Sequence, residues 1–338
     1  MILRSMKKSY NSFTEPVDLV YLWCDDKDSV WHDKMLRYAE QYFNSDDLKM
    51  FLTGRYTDHD ELKISLRSVE KYLPWINKIF IVTDNQVPEW LDTNNQQIVI
   101  VNHKEIIPEK YLPTFNSNVI ETYLHHIPGL SEYFLYANDD MFVNSYLSQN
   151  FFFTNDKKPI ARFRSMRHIE KSVIETSAYF KFTIKMQNWV QKRFGKKIYC
   201  EPHHNIDAYT KTICAECEKE FLKEYNICRK NRFRAENDVW RLLIYYYAIA
   251  KGMAVLKILH KIDSYLPLCE QVRNFLTHKY DMDSIYMRSD DNDIFEKIKK
   301  YNPKLFCIND MGTPEDKFCL SQLHDLFPER SVFEKKEP

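Results

Sequence analysis

The sequence predicts an α/β protein of three layers on a mainly parallel sheet, with a helical, basic insertion. Three observations carry this expectation. Four apolar runs of strand length alternate with segments of helical period. Three of those runs stop at aspartates. The alternation lapses after about residue 150.

The first run, "VDLVYLW" (Val17–Trp23), is nearly all apolar, as suits a strand buried on both faces. It ends in a polar loop with Asp25, Asp26 and Asp28, and a helix is expected from Trp31 to Tyr42. In "TDHDELKISLRSVEKYLPW", Leu62, Ser65, Leu66 and Val69 recur at helical spacing. Asp58 or Asp60 suits the start of that helix and Pro74 its end. "NKIFIVTD" is the second strand and stops at Asp84; "IVIVNH" (Ile98–His103) is the third. "LPTFNSNVIE" opens a helix expected to reach His126, and "EYFLYANDD" is the fourth strand, halted by Asn138, Asp139 and Asp140. In open parallel sheets ligands lie beyond the carboxyl ends of the strands, so Asp25, Asp84, Asp139 and Asp140 are expected to converge.

The later part reads differently. From Lys157 to Lys197 there are twelve Lys/Arg and only two acids, Glu170 and Glu175. That segment is either a solvated basic face or a surface for an anionic substrate or membrane headgroups. Within it, Tyr179, Phe182, Met186, Trp189 and Val190 fall at helical spacing, which favours core packing over a helix lying on a membrane. "NDVWRLLIYYYAIAKGM" reads as a buried helix with Gly252 as its C-cap. "LFCINDM" (Leu305–Met311) repeats the earlier theme of an apolar run ending in Asn309 and Asp310.

Composition excludes several classes. With only 5 glycines the chain holds no GxGxxG or GxxxxGK[ST] phosphate loop. The formal charge is zero, so no nucleic-acid partner is expected. No apolar run reaches the roughly 18 residues of a membrane span, and "MILRSMKKSYNSF" lacks a signal-peptide core. A cytoplasmic protein is expected, at most peripheral to the inner face of the membrane through 157–197. Its eight cysteines then read as reduced thiols. Cys214 and Cys217 form one C-x-x-C; a zinc site there needs further ligands, for which Cys200, His203, His204 and Cys228 are the neighbours in sequence.

Paired carboxylates at a strand end suit a hard divalent cation, which takes one or two carboxylates plus substrate phosphates. Asn-Asp clusters also serve plain turns. Longer blocks decide between the two. "VDLVYLWCDDKD", "RYTDHDELKISLRSVEKYLPWINKIFIVTDNQVPEWL", "LPTFNSNVIETYLHHIPGLSEYFLYANDDMF", "HNIDAYTK", "RFRAENDVW", "LFCINDM" and "FPERSVFEK" resemble the conserved regions of the Stealth proteins. These are capsular polysaccharide phosphotransferases, related to the animal N-acetylglucosamine-1-phosphotransferase. The resemblance spans most of the chain.

The resemblance implies a nucleotide-sugar-transferase-like, Rossmann-like domain that moves a sugar-1-phosphate from a UDP-sugar to a hydroxyl of a polysaccharide or oligosaccharide acceptor and releases UMP. It implies Mg²⁺ or Mn²⁺ as cofactor, with Asp139, Asp140 and Asp310 as candidate metal ligands. His204 falls on the family histidine and suits a proton acceptor, with adjacent His203 as the alternative. Arg234 falls on a family arginine able to grip phosphate, with Arg232 as the alternative. Asp140 completes the catalytic set. Asp25, Asp28, Arg55, Asp58, Asn116, Ser117 and Lys211 are candidate donor-binding residues. For Arg55, Asp58 and Glu61 a helix-capping role stands equally open. Asp238 either orients Arg234 or caps a helix. Residues 1–150 are expected to form the nucleotide-sugar and metal-binding half, 151–230 the basic, mostly helical acceptor region, and 231–338 the part that completes the same catalytic domain.

The chain departs from the family pattern at Leu22-Trp23-Cys24, Asp26, His59 and Ile206. These departures leave the reaction class standing and the donor sugar and acceptor unspecified. Two other readings stand beside it: a metal-dependent glycosyltransferase that releases UDP, and a non-catalytic carbohydrate- or nucleotide-binding module.

Overall fold

The computed structural model describes residues 13–44, 56–166, 177–259, 283–291, 293–312 and 315–336. Its central sheet has the strand order β3-β2-β1-β4-β8. β1 (Val17–Leu22), β2 (Ile79–Thr83), β3 (Ile98–Asn102) and β4 (Tyr133–Asn138) are parallel, and β8 (Asp207–Thr210) runs antiparallel along β4. Strand alternation sends neighbours to opposite faces. Val20, Phe80, Val82, Phe134 and Tyr136 enter one core, while Leu19, Tyr21, Ile79, Ile81, Leu135 and Ala137 enter the other. Cores on both faces make the predicted α/β fold, and they explain why β1, β2 and β4 read as nearly continuous apolar runs.

Helices fill the layers. α1 (Ser29–Ala39) starts two residues earlier than expected because Asp28 caps it, accepting from Val30 and Trp31 backbone N–H groups. α2 (Glu61–Tyr72) packs Leu62, Leu66 and Val69 inward. Asp60 occupies its N-cap position at φ 67°, in the left-handed region, and its side chain makes no cap bond. The helix expected to run to His126 is shorter: α3 (Ser117–Glu121), followed by a separate 3-10 turn, Leu124–His126.

At Asp139-Asp140 the chain leaves the central sheet. It continues as β5 (Met141–Val143), which pairs antiparallel with β11 (Leu305–Asn309), itself beside β10 (Ser284–Arg288). Cys307 lies opposite Met141, so the Asn309 end of β11 returns towards the acidic pair. Ile308 N–H donates to the Asp140 carbonyl at 3.1 Å. α2 braces this junction: Ser65 Oγ donates to the Met141 carbonyl (2.5 Å) and Val143 N–H donates to Ser68 Oγ (3.1 Å).

The stretch 151–230 contributes α4 (Ala178–Phe194) and α5 (Lys211–Glu220), and it also threads β8 into the central sheet. β6 (Ile160–Ser165) pairs with β7 (Cys200–Pro202) and with β9 (Val255–Leu259), so the stretch is tied to the chain on both sides. α4 presses Met186 and Val190 against the core with α6 (Leu242–Lys251). Gly252 ends α6 at φ 72°, where a side chain would be strained. Cys214 and Cys217 sit one turn apart on α5, buried in the same core, and burial pushes both thiols up. Among the described residues no helix is long and apolar enough to cross a membrane.

Candidate active site

Strand register decides what meets Asp139. β1 and β4 end together, Leu22 opposite Asn138. β8 runs against β4 with Asp207 opposite Tyr136 and Thr210 opposite Tyr133. The residues just before β8 therefore reach the carboxyl end of β4, and those just after it reach the opposite end. His204 precedes β8 and lines one cavity of about 230 Å³ with Asp139, Arg234, Ser117 and Glu121. Trp23, Trp31, Tyr56, Phe115 and Trp240 supply its aromatic walls.

His204, Asp140 and Cys307 each place a ligand atom within 4.8 Å of the others. Burial, followed by the charge of Arg241, pulls His204 down to about 3, so its imidazole is neutral at pH 7. Adjacent His203 is enclosed: Nδ1 meets Ser284 Oγ at 2.9 Å and Nε2 lies 3.4 Å from Asp207 Oδ1. Of the two histidines, His204 is the one that lines the cavity. Arg234 Nη2 donates to Ser117 Oγ at 2.8 Å. Arg232 instead donates to the Pro113 carbonyl and lies over Tyr38, outside the cavity lining.

The acidic pair is under electrostatic stress. Burial, then Asp140, Glu61 and Asp58, push Asp139 well above the usual carboxylate range. Burial raises Asp140 to about 6, helped by Glu61 and opposed by its hydrogen bond from Cys307 (3.3 Å) and by Arg241. Asp140 Oδ1 is buried and has no hydrogen-bond partner among the described residues. Closely set carboxylates with an unsatisfied buried oxygen fit a divalent cation, which would relieve both the crowding and the orphaned atom. Asp310 joins the neighbouring group, with Oδ2 3.2 Å from His59 Nδ1, while Glu61 Oε1 is 3.5 Å from that same nitrogen. Glu61 and Asp310 thus meet at His59, in a group distinct from the one that Asp140 forms with His204 and Cys307.

Asp25, Asp28 and Asp58 line a second cavity that shares Trp23 with the first. Burial and then Glu61 raise Asp58 to about 6. Asp28 does not wait for a ligand with both oxygens, because one of them caps α1.

Two expected donor-binding residues lie elsewhere. Asn116 is fully buried: its Nδ2 donates to Asp238 Oδ2 (2.9 Å) and its Oδ1 accepts from Asn118 N–H (3.1 Å) as the cap of α3. Asp238 is likewise buried, and it accepts from Asn118 (2.9 Å), Asn231 (2.7 Å) and the Ala235 N–H (3.1 Å). It braces the segment carrying Arg234 and does not cap α6. Lys211 follows Thr210, at the wrong end of β4, and its Nζ donates to the Leu130 carbonyl at 3.3 Å. Arg55 lies outside the described residues. Arg241, Glu121 and Trp240 line the cavity without having been expected there. One local signal pointed to Arg241: it is a lone cation at the head of the apolar run "LLIYYYAIA".

The chain is similar to known proteins. Residues 55–161 match the family model described as Stealth protein CR2, conserved region 2. The chain is 31% identical over 331 residues to capsular polysaccharide phosphotransferase fcs1 of Haemophilus influenzae, covering 94% of this chain and 84% of that one. It is 32% identical over 357 residues to capsular polysaccharide phosphotransferase WcwK of Streptococcus pneumoniae, covering 95% and 99%. Among solved structures it superposes on the galactosyltransferase LgtC with a TM-score of 0.40 at 11% identity, covering 94% of this chain and 97% of that one. The chain is thus an enzyme of the transferase class. It belongs to the Stealth family of capsular polysaccharide phosphotransferases.

Proposed function

We propose that the enzyme moves a hexose-1-phosphate, in the favoured case an N-acetylhexosamine-1-phosphate, from a UDP-sugar to a hydroxyl of a glycan acceptor. The product is a phosphodiester-linked capsular or cell-surface polysaccharide. One observation carries the reading: His204, Arg234 and Asp139 line one cavity, with Asp140 beside His204.

The acceptor oxygen forms a bond to the sugar-proximal phosphorus. The bond from that phosphorus to the bridging oxygen breaks, and UMP leaves with the electron pair. The anomeric bond stays intact. His204 would take the proton of the attacking hydroxyl at a ring nitrogen, its low affinity for that proton in the empty site being raised by the negative charge of the bound diphosphate. Arg234, steadied by Ser117, offers a planar donor edge to phosphate oxygens. The aromatic walls suit a flat base and keep water from the reacting phosphorus. Asp139 and Asp140 would hold Mg²⁺ or Mn²⁺, which when bound neutralises diphosphate charge. Asp25 and Asp58 extend the donor side from the adjoining cavity.

Such a reaction suits a cytoplasmic enzyme, supplied with nucleotide sugar and working near the inner face of the membrane. The test is the nucleotide released when donor and acceptor are mixed. UMP is expected; UDP would assign the fold to ordinary glycosyl transfer.

A further inference from the structure

Arg241 stands at the head of α6 with its guanidinium on the wall of the catalytic cavity. Its inner edge is fixed. Nε donates to Asp207 Oδ2 at 2.8 Å, and the guanidinium carbon lies 5.5 Å from the centre of the Tyr136 ring. Asp207 is itself fully buried, with His203 Nε2 3.4 Å from one oxygen and Tyr209 OH donating to the other at 3.3 Å. The terminal nitrogens are different. Nη1 lies 3.8 Å from Glu121 Oε1, an ion-pair distance too long for a hydrogen bond, and among the described residues neither Nη makes one. A guanidinium held at one edge and unbonded at the other is a pre-organised donor for an oxyanion, since the cost of ordering it has been met by folding.

We propose that Arg241 is a second phosphate-gripping guanidinium, acting across the cavity from Arg234 on the donor's diphosphate. This rests on the phosphoryl-transfer reading above. The competing account is that Arg241 only neutralises buried Asp207. The two accounts part when both charges are removed together.

The experiment measures binding of inorganic pyrophosphate, with Mg²⁺, to the full chain by calorimetry, alongside Tm. Arg241→Met alone strands the Asp207 charge and is expected to lower Tm. Asp207→Asn/Arg241→Met removes that penalty, so Tm should recover while pyrophosphate binds about 10- to 100-fold more weakly than to the wild type. Arg241→Lys keeps the charge and the Asp207 pairing but loses the planar edge. It should bind pyrophosphate several-fold more weakly at near-normal Tm, and it keeps the test decisive if the double variant fails to fold. Wild-type affinity in a folded double variant, or in Arg241→Lys, overturns the proposal. A wild-type protein that binds neither pyrophosphate nor UDP overturns the phosphoryl-transfer reading itself, and this inference with it.

Discussion

The His204 imidazole and the Asp140 carboxylate come within 4.8 Å of each other, one carried by the chain entering β8 and the other by the turn leaving β4. The antiparallel pairing of β8 with β4 creates this meeting, and the proposed chemistry depends on it. Replacing His204 by Ala should cut turnover by about 10² or more while UDP binding survives. Steady-state kinetics together with nucleotide binding decide this. Normal turnover in that variant would move the proton-acceptor role to His203 or to a carboxylate.

The crowded carboxylates call for a cation. Chelation is expected to abolish transfer, and Mg²⁺ or Mn²⁺ to restore it. Asp140→Asn should lose transfer at every metal concentration tried, because it removes the charge next to the orphaned oxygen. Full activity in chelator would remove the metal from the account.

Asn116 and Ser117 are neighbours with different work. Asn116→Ala takes one donor from buried Asp238 and the cap from α3. It should cost roughly 1–3 kcal/mol of stability in urea denaturation. Ser117→Ala touches only the bond to Arg234. Its stability should stay within about 0.5 kcal/mol of the wild type while donor KM rises several-fold. The opposite pattern would return Asn116 to the donor site.

Stability should fall in acid partly through His103. Burial outweighs the attraction of Asp84 and lowers this histidine to about 4. Above its ordinary value of 6.5 the ring is neutral both folded and unfolded, and it contributes no pH dependence. As pH falls from 6.5 towards 4 the unfolded chain takes the proton first, so folding loses up to roughly 3 kcal/mol. Denaturation of wild type and His103→Gln at pH 7 and about pH 4.5 checks this. The variant should lose less stability between the two; an equal loss would assign the acid sensitivity elsewhere.

The strands were legible because β1, β2 and β4, buried on both faces, read as nearly continuous apolar runs, and the aspartates that follow them marked the ligand end. "HNIDAYTK" shows where that legibility stops. His204 and Lys211 belong to one short motif, yet β8 runs between them and delivers them to opposite ends of β4. Only the pairing partner of β8 decides which residue reaches the site, and that partner is not written in the motif. Asn116 illustrates a second limit, since an amide able to bind sugar hydroxyls is equally able to cap a helix and satisfy a buried carboxylate. Arg241 illustrates a third. Its place before an apolar run marks it in the sequence, but nothing there says that Asp207 lies beneath its guanidinium.

The central claim is that phosphorus moves together with the sugar. The direct measurement uses a UDP-sugar carrying radiophosphorus at the sugar-proximal position and follows the label after incubation with acceptor glycan. The account predicts label in the polymer, resistant to phosphatase as a diester, with unlabelled UMP in solution. Label recovered as UDP, with the sugar alone in the polymer, would contradict it.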